Sequence, residues 1–364
     1  MSLIDRSKMR EDVLANWDLL GAAFLKGFKN AAIKQLFLLK FGWVKKLKQF
    51  MKDVGGKHNL LMEKKAYSNK DESFELDPGL VLSLVKMQRA ANAEMAKHWN
   101  KALKQQKGVK FNRVQFHGVK GEWTLPPEQE GNSTILYLHG GAFAYFSTKE
   151  TRPFTAMVAK KTGKRILAVD YRLAPEHPFP AGLDDCITAY KYLLEEGMDP
   201  KKIIIDGESA GGNLTISTML KLKRDGIELP AGGTIRSPLT DFTFPDPSMY
   251  ERRKTDPVLA YLPTFLLRKA YVGDNDWEDP LISPIHGNLE GLPPFLIQVS
   301  TAEMLHSDSV RFAKALSDMG GDATLEEYDD MLHAFPIISL GSGIPEVEDA
   351  LESMARFVKK ILKE

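Results

Sequence analysis

The stretch that most constrains this chain is Gly207-Glu208-Ser209-Ala210-Gly211-Gly212, which lies between a predicted strand and a predicted helix. The run before it, 202–206, is short, apolar and β-branched, as is typical of a parallel strand buried on both faces. The run after it, 213–222, has the pattern of a helix that ends near Gly226. A serine between glycines in such a tight turn projects its hydroxyl above the edge of a sheet. The same letters also fit an ordinary turn, so a chemical role depends on partners elsewhere in the chain.

Predicted strands and helices alternate from residue 108 onward. The strands are 111–117, 119–125, 134–138, 165–170, 202–206, 232–236, 295–300 and 323–328, and the helices lie near 152–161, 183–195, 213–222, 307–319 and 345–362. This repetition predicts an α/β fold in which helices cover both faces of a mostly parallel sheet. Such sheets bind ligands at the carboxyl ends of their strands, where Ser209, the Gly140-Gly141 loop and Asp170 emerge.

A serine hydroxyl needs a base to become a nucleophile at neutral pH, and histidine is the usual one. The chain has eight histidines. The order serine, acid, histidine, which is usual in this kind of sheet, leaves His286, His306 and His333. His333 follows the last predicted strand at the sheet edge that carries Ser209, whereas His306 begins a helix and no strand precedes His286 directly. We therefore predict that His333 is the base.

An acid is expected to orient the histidine and to stabilise its protonated form. Glu303 follows the strand 295–300 and is the predicted acid. Two alternatives stay open on the sequence: Asp308, which lies in a predicted helix, and Asp241, which follows the preceding strand. Glu303 also fits a surface carboxylate at the start of a helix.

Backbone amides that could hold an oxyanion are expected in two places. His139-Gly140-Gly141 follows a buried strand, and the absence of side chains at the two glycines lets the backbone approach a ligand closely. The Ala210 amide lies beside Ser209 at the start of a helix. Gly140, Gly141 and Ala210 are therefore the predicted donors.

Three motifs together resemble the hormone-sensitive-lipase-like family of α/β-hydrolase carboxylesterases: 139–143, 170–181 and 207–212. The resemblance covers about residues 108–364. It implies the α/β-hydrolase fold and hydrolysis of small carboxylic esters, with short to medium acyl chains favoured, through an acyl-enzyme. It also implies that no cofactor and no metal is needed, and that the run 170–180 supports the site structurally.

The resemblance also bears on individual residues and on the domain boundaries. The acid and the histidine of the family stand about thirty residues apart, which fits Glu303 and His333. The family's helical cap implies a lid made from residues 1–107 together with an insertion near 245–272. This chain departs from the family pattern at Ala142, which replaces a third glycine, and at Glu303, where aspartate is common.

Two other functions remain open: an acyltransferase on the same triad, and a small-molecule receptor, as the gibberellin receptors of plants resemble this family.

The N-terminal region has its own charge pattern. Residues 1–60 hold twelve Lys and Arg against five Asp and Glu, although the whole chain carries only +1. Eight lysines lie between residues 26 and 52, which suggests a weak contact with an anionic membrane surface or simply a solvated helix face. The nearly neutral chain gives no reason to expect a nucleic acid partner.

Location and assembly are less constrained by the sequence. The N-terminus has no apolar signal peptide, and no uncharged run is long enough to span a membrane. Cys186 is the only cysteine and is predicted to be a buried apolar residue, so we expect a reducing, cytoplasmic location. The sequence leaves the oligomeric state open.

Overall fold

Eight strands form a single sheet in the computed structural model, which describes residues 5–38, 78–253, 255–259 and 268–363. The strands are β1 (Lys110–Phe116), β2 (Val119–Leu125), β3 (Thr134–Leu138), β4 (Arg165–Asp170), β5 (Ile203–Glu208), β6 (Gly232–Arg236), β7 (Phe295–Ser300) and β8 (Ala323–Tyr328). Their order is β1-β2-β4-β3-β5-β6-β7-β8. The pairs β1–β2 and β2–β4 are antiparallel, and all others are parallel. The predicted mostly parallel α/β-hydrolase sheet is confirmed.

The helices are α1 (Glu11–Leu38), α2 (Pro78–Ala96), α3 (Asn100–Lys104), α4 (Thr148–Thr162), α5 (Ala181–Glu195), α6 (Ala210–Arg224), α7 (Ser248–Glu251), α8 (His306–Asp318), α9 (Phe335–Ile338) and α10 (Pro345–Leu362). Short 3-10 turns occupy Arg6–Lys8, Pro200–Lys202 and Pro284–His286, and Arg268–Val272 is a π-helix. None of the helices in the described ranges has an apolar stretch long enough to cross a membrane.

Two apolar cores lie on opposite faces of the sheet. Leu136 and Leu138 of β3 pack into one core, while Ile135 and Tyr137 pack into the other, as the alternation of side chains along a strand requires. The helices α5, α6 and α8 contribute to the first core, and α4 and α10 contribute to the second. Cys186 of α5 is fully buried in the first core, as predicted.

The N-terminal helices dock on the C-terminal part of the chain. The Trp99 indole donates a hydrogen bond to the Ile338 carbonyl at 3.1 Å, and α1 packs along α2. A turn separates the helices α2 and α3. Of the basic stretch, residues 39–52 lie outside the described residues, as do 254 and 260–267 of the predicted insertion. The division into a cap and a catalytic domain stays a prediction.

The junction between β5 and α6 leaves no room for side chains. A Cβ atom on Gly211 would lie 1.9 Å from the Leu138 carbonyl oxygen of β3, and one on Gly207 would lie 2.4 Å from the Gly211 carbonyl oxygen. The two glycines therefore allow α6 to start directly against the end of β3. This close approach fixes the position of Ser209 relative to the loop after β3.

Substitution Gly211→Ala should destabilise the fold, because the added methyl group cannot fit without movement of the β3 backbone. We expect the free energy of unfolding to fall by at least about 3 kcal/mol, measured by chemical denaturation. Gly21→Ala in α1 is the matched control, since a Cβ atom there has no neighbour within 4 Å among the described residues. Equal stability of the two variants would contradict this account of the junction.

Candidate active site

Ser209 occupies a strained turn at the carboxyl end of β5. Its φ of 53° and ψ of −116° lie in a region that residues with a side chain rarely adopt. The Ser209 amide donates to the Arg236 carbonyl at 2.8 Å, which holds the turn against β6. The side chain is half-buried and lines a cavity. This geometry is that of a hydroxyl presented above a sheet edge.

His333 and Glu303 lie together in the protein interior. His333 Nδ1 is 3.6 Å from Glu303 Oε2, and the exposed fractions of the two residues are 4% and 0%. Burial alone would lower the pKa of the imidazole, but the charges of Glu303, Asp256 and Glu208 outweigh burial and raise it above its usual value. Because Nδ1 faces the carboxylate, Nε2 is the ring nitrogen left for a proton transfer.

The alternative acids are held in another hydrogen-bonded cluster. Asp308 Oδ1 accepts hydrogen bonds from the Thr240 and Asp241 amides at 2.7 and 3.1 Å. Asp241 pairs with Arg311 at 3.0 Å. Burial raises the pKa of Asp308 to about 8. Of the three candidate acids, Glu303 is the one with an ion-pair contact to His333 among the described residues.

The other two candidate histidines pair with other acids. His286 Nε2 lies 3.5 Å from Asp241, and His306 Nε2 lies 2.5 Å from Glu327. Within the described part of the chain, neither lines the cavity that contains Ser209 and His333. The structure therefore brings His333, and neither of these, to the candidate site.

Ser237 connects the acid to the backbone beyond the histidine. Its hydroxyl donates to Glu303 Oε2 at 2.8 Å and accepts from the Ala334 amide at 2.9 Å. Ser237 follows β6 directly, with a left-handed φ of 47°. Sequence reasoning missed this residue, because a serine after a strand carries no signal for a particular partner.

A second buried carboxylate, Asp256, lies near His333. It accepts hydrogen bonds from the Val258, Leu259 and Met304 amides at 2.9, 3.0 and 2.9 Å. Burial raises the pKa of Asp256, and His333 opposes that shift. Asp256 lies in the irregular segment after α7, where neither periodicity nor a motif points to it.

The Gly140 amide is already bonded in this structure. It donates to Glu208 Oε1 at 2.6 Å, and the Tyr137 hydroxyl donates to the same oxygen at 3.0 Å. Burial raises the pKa of Glu208 to about 7. Gly140, which the sequence placed among the oxyanion donors, would have to leave Glu208 to serve as one.

The loop after Gly140 turns sharply toward the cavity. Gly141, Ala142 and Phe143 have φ values of 105°, 55° and 56°, so three consecutive residues adopt left-handed backbone. Gly141 and Ala142 line the cavity. Successive left-handed residues expose their amide groups on one side of a chain, which suits an anionic oxygen.

The motif 170–181 supports this loop. The Tyr171 hydroxyl donates to the His139 carbonyl at 2.6 Å, and its ring stacks on the His139 ring at 4.2 Å. The Ala174 amide donates to the Phe143 carbonyl at 2.8 Å. These contacts explain how a motif without a predicted chemical role lies beside the site.

A cavity of about 580 Å³ opens beside Ser209 and His333. Its wall combines the loop after β3, residues after β8, and the helices α1 and α2 from the N-terminal region. Most of the lining side chains are apolar, among them Trp17, Met95 and Phe146. The described residues hold no group of three or more His, Cys, Asp or Glu side chains placed to bind a metal ion.

Comparison with known proteins agrees with this architecture. A model of the alpha/beta hydrolase fold family matches residues 135–337. An acetyl-hydrolase of Streptomyces hygroscopicus is 36% identical over 233 residues, 63% of this chain and 78% of that protein. An esterase of Acinetobacter venetianus is 33% identical over 254 residues, 70% of this chain and 83% of that protein.

A solved esterase from the bacterial hormone-sensitive lipase family has a TM-score of 0.70 and 31% identity, covering 79% of this chain and all of that one. The chain therefore belongs to the α/β-hydrolase fold family, among the esterases related to hormone-sensitive lipase. It is a carboxylesterase-like hydrolase, and the resemblance seen in its motifs is confirmed.

The contact between Glu303 and His333 predicts a titration. We expect the pKa of the His333 imidazole to lie above about 6.5 in the wild type, and to fall in Glu303→Gln because a stabilising negative charge is lost. Nuclear magnetic resonance of ¹⁵N-labelled histidine measures both values, with His333→Asn identifying the signal. An unchanged pKa in Glu303→Gln would contradict the pairing.

Proposed function

We propose that this protein hydrolyses small carboxylic esters through an acyl-enzyme on Ser209, with His333 as the base and Glu303 as the acid that orients it. The observation that carries the proposal is that Ser209 and His333 line one cavity while Nδ1 of His333 faces Glu303. The Nδ1···Oε2 separation of 3.6 Å is longer than a hydrogen bond, and such contacts shorten when substrate binds.

The first half of the reaction forms the acyl-enzyme. Ser209 Oγ attacks the ester carbonyl carbon, and its proton passes to Nε2 of His333. The Glu303 carboxylate stabilises the resulting imidazolium. When the tetrahedral intermediate collapses, the bond to the alcohol oxygen breaks and the imidazolium returns the proton to that oxygen.

The second half releases the acid. The neutral His333 takes a proton from a water molecule, and the oxygen of that water attacks the acyl carbon. Ser209 Oγ then leaves and takes up the proton held on the imidazolium. We propose that the Gly141 and Ala210 amides, with the Ala142 amide beside them, stabilise the oxyanion in both halves. Gly140 then acts indirectly, through its bond to Glu208.

The substrate range follows from the cavity wall. An apolar cavity of about 580 Å³ favours apolar acyl and alcohol groups of limited size, so we propose short to medium acyl chains. A weak contact of the basic N-terminal region with anionic lipid stays a prediction, as does a cytoplasmic location.

Substitution Ser209→Ala should lower kcat for p-nitrophenyl butyrate by on the order of 10⁶, because the covalent route is removed. A fluorophosphonate probe should add to wild type and not to Ser209→Ala, as read by intact-protein mass spectrometry. Ser217→Ala, a buried serine of α6 on the same helix, is the control and should keep its labelling. Near-normal turnover by Ser209→Ala would refute the assignment, and a wild type that is not labelled would instead favour a binding protein.

The pH dependence of kcat/KM follows from His333. Only the neutral imidazole accepts the serine proton, so activity falls as the pH drops through the imidazole pKa. Because that pKa is raised, the acid limb should have its midpoint above about pH 6.5. A profile that is flat down to pH 5 would exclude a histidine base.

A further inference from the structure

We propose that Asn92, oriented by Gln88, forms a polar subsite in the cavity that binds a second carbonyl oxygen of the substrate. The preferred esters would then carry a ketone or a second ester carbonyl at a distance from the bond that is cleaved. This inference rests on the proposed function of Ser209, and it adds a substrate class to that function.

The subsite lies on one face of α2. Gln88, Asn92 and Met95 of α2 recur at helical spacing, as does Trp99 in the turn after this helix, and all four line the cavity. A helix face that borders an apolar space is expected to be apolar, as it is at Met95 and Trp99. Two neighbouring amide side chains on this face are therefore exceptions that call for a reason.

Asn92 has an unused donor. The residue is only 6% exposed, and its Oδ1 accepts a hydrogen bond from Gln88 Nε2 at 3.4 Å. Asn92 Nδ2 has no hydrogen-bond acceptor among the residues that the structure describes. Asn92 lines the cavity, so this amide group is available to donate a hydrogen bond to a ligand oxygen there. Because Gln88 already occupies Oδ1, the free group is the NH₂, and the partner it needs is an acceptor oxygen.

The surroundings make this donor selective. Most of the cavity wall is apolar and includes Trp17, Leu25, Phe146 and Ile338, while the Arg6 and Asp18 side chains that also line it are paired with each other. An apolar wall distinguishes substrates mainly by length, and it discriminates weakly between chains of equal size. A directed donor in such a wall distinguishes a carbonyl from a methylene at one position along the chain.

The position of the donor is fixed relative to the reacting centre. Arg89, the neighbour of Gln88, donates to the Ala144 carbonyl at 2.7 Å and to the Ala174 carbonyl at 3.0 Å. It also forms two hydrogen bonds with Glu176, at 2.7 and 2.9 Å. These contacts attach α2 to the loop that follows Gly141 and to the supporting motif. A rigid frame between donor and catalytic loop is what a subsite needs to select one position.

The experiment compares matched esters that differ by one carbonyl. The acyl series is p-nitrophenyl heptanoate with its 4-oxo, 5-oxo and 6-oxo derivatives. The alcohol series is the butyrates of hexanol and of its oxo derivatives, followed by acid release. We expect wild type to prefer at least one oxo ester over its plain counterpart by more than about 10-fold in kcat/KM. Equal rates for every pair would overturn the subsite.

Three variants separate the subsite from general effects on the cavity. In Asn92→Leu the preference should disappear while hydrolysis of the plain ester persists, and in Gln88→Leu it should weaken. Met95→Leu, on the same face, is the matched control and should keep the preference. If Asn92→Leu kept the wild-type ratio, the assignment of the donor would be wrong.

Stability provides a readout that a merely structural asparagine would not give. Because Asn92 Nδ2 is unpaired among the described residues, replacement by leucine should leave the unfolding temperature unchanged or raise it. A marked fall, together with equal losses on plain and oxo esters, would show that Asn92 supports the fold and would overturn the proposal.

The subsite and the proposed mechanism can fail separately. If wild type hydrolyses the plain esters without any oxo preference, the subsite alone is wrong. If wild type fails to hydrolyse the plain esters, or Ser209→Ala hydrolyses them normally, the mechanism is wrong. In that case equilibrium binding of each pair to Ser209→Ala and to the double variant with Asn92→Leu still decides whether Asn92 selects the carbonyl.

Discussion

The site depends on a close backbone contact between the start of α6 and the end of β3. Gly211 takes part in that contact, and its position leaves no space for a methyl group beside Leu138. The contact places the Ser209 turn next to the loop of Gly140 and Gly141, although about seventy residues of chain separate them. The proposed nucleophile and the amides proposed to stabilise the oxyanion are therefore positioned by packing in the core.

A buried set of charges lies directly beneath this turn. Arg236 is fully buried and bonds Asp206 with both terminal nitrogens, at 2.8 and 3.0 Å, while one of them lies 3.6 Å from Glu208. Burial of unpaired charges is costly, so these groups stabilise the fold only as a set. Glu208 also accepts a hydrogen bond from the Gly140 amide, which connects the charge network to the loop after β3. These contacts hold the strand end that carries Ser209 against Arg236 of β6 and against the loop after β3.

The strands and the main candidate residues could be predicted because local signals report them directly. The strands β2, β3, β4, β6, β7 and β8 have the predicted bounds. Apolar or alternating runs that end at glycine, proline or polar residues can be recognised directly in the sequence. Ser209, Glu303 and His333 each follow a predicted strand, and the structure places the last two in contact.

The supporting residues could not be predicted, because they act across distances in sequence that carry no pattern. Ser237 joins Glu303 to Ala334 from a third strand end, and Asp256 reaches Met304 from an irregular segment. The hydrogen bond from the Gly140 amide to Glu208 depends on where the Glu208 side chain lies in three dimensions. Such partners become visible only when the sheet has brought the strand ends together.

The N-terminal helices contribute to the cavity wall together with the loops at the strand ends. The sheet and its loops carry Ser209, Glu303 and His333, but α1 and α2 supply much of the cavity wall. Met87 and Ala91 of α2 are buried, and the positions that follow each of them line the cavity. Those positions carry Gln88 and Asn92. In the proposed function, substrate preference depends on this helix and bond cleavage depends on Ser209, so the two properties depend on different contacts.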